Sequence, residues 1–189
     1  MPTINLQIAA AADDGMASSL YFSSSGVANR NYLGLYSGSY QFSNWYRFTN
    51  LTIPKNSTIN SATMQLFVDS YTGGSTVTVY GNKVANASNP TDNADYNGKA
   101  RTSASASWNI GTPGAGVWAT SPSLASIIQE IVNQSSWASG NAAMMLLDYV
   151  TSSNYYSLYS YETGSNAAKL AIDYTEPVSS QPSLFFGQF

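Results

Sequence analysis

A chain of 189 residues with 43% hydrophobic content is long enough to bury a sizeable core as one large domain. It holds no histidine and no cysteine, and only 9% of it is charged, which removes most of the side chains used in acid–base, nucleophilic and zinc chemistry. The net charge of -3 and the scattering of Arg30, Arg47, Lys55, Lys83, Lys99, Arg101 and Lys169 argue against nucleic acid as a partner, because no basic stripe forms.

The opening Met1 to Leu6 has neither a basic nor an apolar leader region, so the chain is read as starting on its first strand. Alternation of apolar and polar residues predicts half-buried strands at Ile4–Ile8, Met64–Val68, Val77–Tyr80 and Leu170–Tyr174. Further strands are expected over Trp45–Thr52, Ala142–Val150 and Tyr155–Tyr161, eight to ten in all, with turns at Gly73-Gly74, Asn97-Gly98 and Gly114 to Gly116. Within Tyr155–Tyr161, Tyr155, Tyr159 and Tyr161 should share one face and Tyr156 and Leu158 the other. Leu124, Ile127, Ile128, Ile131 and Val132 break the alternation with helical spacing, and Ser121-Pro122 reads as the cap and first position of a short amphipathic helix. No segment approaches the roughly 20 apolar residues of a membrane span, so no membrane partner is expected.

Residues 176–189 differ from everything before them, with Pro177 and Pro182 around a Ser/Gln stretch and Leu184, Phe185, Phe186 and Phe189 near the end. Burying those four side chains would gain about 6 to 10 kcal/mol, whereas ordering the segment costs on the order of 14 kcal/mol, so a partner surface is needed to hold it. The segment is therefore read as an extended arm, with its four apolar side chains as partner-binding residues.

Candidate chemistry is thin. There is no base for a serine nucleophile, and adjacent Asp13 and Asp14 make a poor carboxylate pair for glycoside hydrolysis, so no catalytic residue and no enzyme activity is assigned. Asp92 and Asp95, in the oxygen-rich stretch Asn89–Gly98, are candidate calcium ligands, although Asx-turns explain the same residues and no cofactor is otherwise implied. Trp137 and Tyr156, in a Tyr-rich region, are candidate glycan-stacking residues, set against cross-strand packing of the same rings. A surface of hydroxyl and amide groups with few charges suits dense packing of many copies, with a trimer favoured among cyclic homo-oligomers.

Three blocks carry a resemblance: Tyr46–Pro54 with Thr58–Ala62, Ala94–Thr102, and Ile127–Val132 with Trp137–Asn141. They resemble the DNRLRE-like, carbohydrate-binding-module-like β-sandwich domains found in secreted bacterial proteins and in tailed-phage virion proteins. The resemblance implies an all-β, jelly-roll-like antiparallel sandwich over residues 1–175, and it transfers no catalytic residue. It also implies a phage structural protein, a decoration or cement protein on the capsid exterior whose partners are the major capsid protein or other virion subunits. A carbohydrate-binding or adhesion module that meets a host-surface glycan, or a tail fibre component, is the alternative expectation.

Overall fold

In the computed structural model, which describes residues 1–150 and 153–178, twelve antiparallel strands curl into two packed layers. The strands are β1 (Thr3–Gln7), β2 (Asp14–Ala17), β3 (Phe22–Ser23), β4 (Arg30–Tyr36), β5 (Tyr40–Phe48) and β6 (Thr58–Tyr71). They continue as β7 (Thr76–Asn82), β8 (Arg101–Asn109), β9 (Val117–Thr120), β10 (Ala143–Tyr149), β11 (Tyr155–Tyr159) and β12 (Lys169–Thr175). Two short α-helices, α1 (Asn93–Gly98) and α2 (Ala125–Val132), and two 3-10 segments, Ala11–Asp13 and Tyr161–Asn166, complete the described residues. None of these helices is long and apolar enough to cross a membrane.

The first layer runs β1-β12-β6-β11-β4, with β9 also on β6, and the second runs β3-β2-β5-β10-β7-β8. β5 belongs to both: Tyr40 to Phe42 pairs with β4, and Ser43 onward lies between β2 and β10. A strand that changes layers in this way forms the corner of a curled sandwich. β11 and β12 take successive stretches of β6, with the Tyr161–Asn166 segment between them. A register shift between Asp173 and Tyr174 resets the alternation of β6, so that Ile59 and Ala62, three apart, both point inward.

Sequence periodicity holds where one face is core and the other is wet. Tyr156 and Leu158 are buried while Tyr155 and Tyr159 face out, as the alternation requires, although Tyr161 leaves the strand and starts a 3-10 turn. β2 is buried at all four positions, and β8 alternates only among Ser and Ala, so neither shows an apolar period. α2 buries Ile127, Ile128, Ile131 and Val132 against β6, β7 and β8, closing one end across both layers. Each such side chain contributes roughly 1.5–3 kcal/mol of apolar burial. Gly81 of β7 makes this approach available, since a Cβ there would lie 2.7 Å from the Ile131 Cδ1.

The helix start differs from expectation. Ser121 does not cap it: its Oγ accepts the Met64 N–H at 2.9 Å, and Leu124 N–H donates to the Ala62 carbonyl. Residues 121–124 thus stay paired to β6, and the helix begins only at Ala125. Glu176, Pro177 and Val178 leave the sheet as exposed chain, and the arm residues Leu184, Phe185, Phe186 and Phe189 lie outside the described residues.

Candidate functional site

The outer face of the first layer carries most of the exposed rings. Tyr36 and Tyr40 are direct partners across the β4–β5 hairpin, whose turn places Ser37 and Gly38 in the left-handed region. Period-2 alternation adds Tyr32 on β4 and Phe42 on β5 to the same face. Gly34 sits between Tyr32 and Tyr36 with φ +105, and a Cβ there would lie 2.4 Å from the Asn154 carbonyl oxygen. With no side chain at position 34, the Tyr32 and Tyr36 rings stack at 4.1 Å between centroids.

Tyr155 closes on Tyr36 edge-to-face at 5.0 Å, and Tyr40 stacks on Phe42 at 5.8 Å. Together with Met16, Tyr21 and Val27, the residues Tyr32, Tyr36, Tyr40 and Phe42 line a groove of about 270 Å³. Tyr21 and Tyr40 remain 40% and 36% exposed, so their rings are offered to a ligand rather than spent on the core. Aromatic walls with a few polar tips are the chemistry of a small-ligand site, and tyrosine hydroxyls provide the tips here.

Further along the same face a second aromatic group is covered. Phe67, Trp118 and Tyr159 meet at 5.0 and 5.3 Å between ring centroids. Arg30 lies over the Tyr159 ring at 3.9 Å, and Lys169 over Trp118 at 4.0 Å. Arg30 is itself held by Asp69 at 2.9 Å, and its hydrogen bond keeps the Asp69 carboxyl below the usual aspartate range. At Lys169 the face ends in a hollow of about 260 Å³ with a mixed lining that includes Asn5, Leu6, Gln7, Gln65, Lys169 and Leu170.

All seven cationic side chains are engaged inside the fold. Arg30, Arg47, Lys83, Lys99 and Arg101 form ion pairs with Asp69, Asp13, Glu130, Asp95 and Asp148. Lys55 donates to the Ser135 carbonyl, and Lys169 covers Trp118. Glu130 also accepts the Ala104 and Ser103 N–H groups, and these bonds, with Lys83, lower its pKa to about 2. The groove therefore has no free cation beside it to recognise a carboxylate or phosphate.

The residues singled out in the sequence are placed differently. Trp137 is 3% exposed and its Nε1 donates to the Ile53 carbonyl at 3.0 Å. Tyr156 is 0% exposed, and its hydroxyl accepts the Ser75 N–H at 2.8 Å and donates to the Gly111 carbonyl at 2.6 Å. Both belong to the core, which corrects the glycan-stacking role expected of them, since neither ring has a free face. Asp92 caps α1 by accepting the Asp95 N–H at 2.8 Å, and Asp95 accepts from Thr91 and pairs with Lys99. Those carboxylates are occupied by the capping of α1, and no three His, Cys, Asp or Glu side chains converge as a metal-holding group among the described residues.

The groove was present in the sequence as Tyr32, Tyr36, Tyr40 and Phe42 around Gly34. Its signal is the even spacing of aromatics about a glycine, which becomes a site only once β4 and β5 are paired. Neither family models nor curated proteins match the chain.

Proposed function

We propose that this chain is a non-enzymatic structural protein of a phage particle, displayed on the capsid exterior, whose tyrosine groove holds a neutral glycan. The observation that carries the glycan reading is the open groove of Tyr21, Tyr32, Tyr36, Tyr40 and Phe42, next to a surface whose cations are all engaged. Ring faces stack on the apolar faces of sugars, and tyrosine hydroxyls bond their hydroxyl groups, without needing a charged partner. The phage setting is supported by the sequence resemblance and the low charge. In this reading Leu184, Phe185, Phe186 and Phe189 attach the protein to the major capsid protein or to neighbouring copies, as a trimer.

Two measurements test the halves separately. Mass spectrometry of purified particles should find this chain within a few-fold of the major shell subunit; a trace amount would assign it to a tail fibre, and absence would refute the virion role. Screening the full chain against uncharged and acidic glycans should give saturable binding to uncharged ones. Binding confined to acidic glycans, or none, would refute the groove assignment.

A further inference from the structure

Two adjacent aspartates at the corner between the layers have opposite surroundings. Asp13 is paired with Arg47 at 2.6 Å and also accepts from Asn89. Asp14, at the start of β2, is 0% exposed and has no cation against it. Its Oδ2 accepts the Tyr161 N–H at 3.0 Å, and its Oδ1 has no hydrogen-bond partner.

What faces Asp14 is neutral or negative. Tyr46, directly opposite on β5, is buried with its hydroxyl unpartnered. Asn31 of β4 is buried beside Asp14, and its side chain, like the Tyr161 N–H, favours the charged carboxylate without outweighing burial. Glu162, in the turn that follows β11, adds a like charge, as does Asp13. Arg47 is committed to Asp13, and Arg30 to Asp69 and Tyr159 on the outer face. A charged carboxylate here would be buried without a counter-ion and beside the Glu162 charge, which disfavours it more than the Tyr161 and Asn31 hydrogen bonds favour it.

We propose that Asp14 is a proton-operated latch: it is protonated while the corner of β2, β4 and the Tyr161 turn is closed, and losing the proton loosens that corner. The corner walls the groove, because Met16 lies two residues beyond Asp14 on β2 and Val27 lies in the loop joined to Ser160 through the Asn29 carbonyl. Burial first, and then the Glu162 charge, raise the Asp14 pKa from 3.8 to about 8. A folded-state pKa raised above the unfolded one means that the closed form binds the extra proton. Its stability is complete below about pH 4, is lost as pH rises, and levels off above about 8.

The test uses the full chain without any ligand, so it does not depend on what the groove holds. Carboxyl-carbon NMR should show Asp14 titrating near pH 8, and a midpoint in the ordinary aspartate range would overturn the latch. Hydrogen exchange should show protection of the Tyr161 amide falling about tenfold per pH unit between pH 4 and 8 and then levelling. Asp14→Asn, which mimics the protonated side chain, should keep that protection constant; the same slope in the variant would overturn the proposal. If Asp14→Asn does not fold, the wild-type NMR midpoint decides alone.

Discussion

The two aromatic groups on the outer face of the first layer are built from similar residues but differ in what lies over them. The rings of Phe67, Tyr159 and Trp118 are capped by Arg30 and Lys169, which satisfies their π faces within the chain. At the other end, Tyr32, Tyr36, Tyr40 and Phe42 stack only on one another and on Tyr21 and Tyr155, and a groove remains between them. Aromatic content alone therefore does not mark a binding surface. The presence or absence of a fixed cation over the ring separates a covered patch from an open one.

The strongest way to break this contrast is to remove the corner beneath the groove. A Cβ on Gly15 would lie 2.3 Å from both the Ser23 carbonyl oxygen and the Trp45 ring, and neither backbone nor buried indole can yield easily. Gly15→Ala should cost about 3 kcal/mol in urea unfolding and also abolish glycan binding, whereas no change in stability would show that the corner is soft. Next in size is the direct comparison of the two ends. Tyr36→Ala should weaken glycan binding about tenfold, the effect of roughly 1.4 kcal/mol, and Trp118→Ala should leave it nearly unchanged. Equal losses in a titration calorimetry series would remove the distinction between the ends.

Smaller effects sharpen the role of the cations. Arg30→Gln breaks the ion pair to Asp69 and uncovers Tyr159, and should cost on the order of 1 kcal/mol. The Asp69 pKa is lowered in the fold, so the pair's contribution is present above the ordinary aspartate range and is lost as pH falls through the lowered value. Acid unfolding of Arg30→Gln should therefore lack the part of the pH slope that Asp69 supplies in the wild type. Lys169→Gln should be the mildest, about 0.5 kcal/mol or less in thermal unfolding, because a cation over a half-buried ring that water still reaches contributes little. Combining Arg30→Gln with Lys169→Gln bares the second group, and the double variant should then show a second, weaker glycan site in titration calorimetry that either single variant lacks.

The layered, all-β character of the chain was legible in its residues. Ile4, Leu6, Met64, Leu66, Val77, Val79, Leu170 and Ile172 alternate with polar neighbours, and each lies in the strand that this pattern predicts. The helical spacing of Ile127, Ile128, Ile131 and Val132 likewise located α2, although its start was shifted by the continued pairing of residues 121–124 with β6. β2, β3, β4, β8 and β9 were missed. β3 is only two residues long, β2 is buried on both faces, β8 and β9 turn mainly Ala inward, and β4 carries Leu on one face and Tyr on the other, so no two-residue apolar period survives. Alternation put Tyr156 on the face of Leu158, but whether that face and the Trp137 ring are core or platform was not readable, since an aromatic side chain is at home in either.

By itself the sequence determined the fold class, the scarcity of charge, and the lack of histidine and cysteine, because composition and short-range periodicity are properties of neighbouring residues. Only the tertiary structure decided which tyrosines stand open and which are capped, and that Asp14 lacks the cation its neighbour Asp13 has. Those outcomes depend on strands paired across long stretches of chain, as when β4 meets β11, and on the loss of water around each group once the layers close.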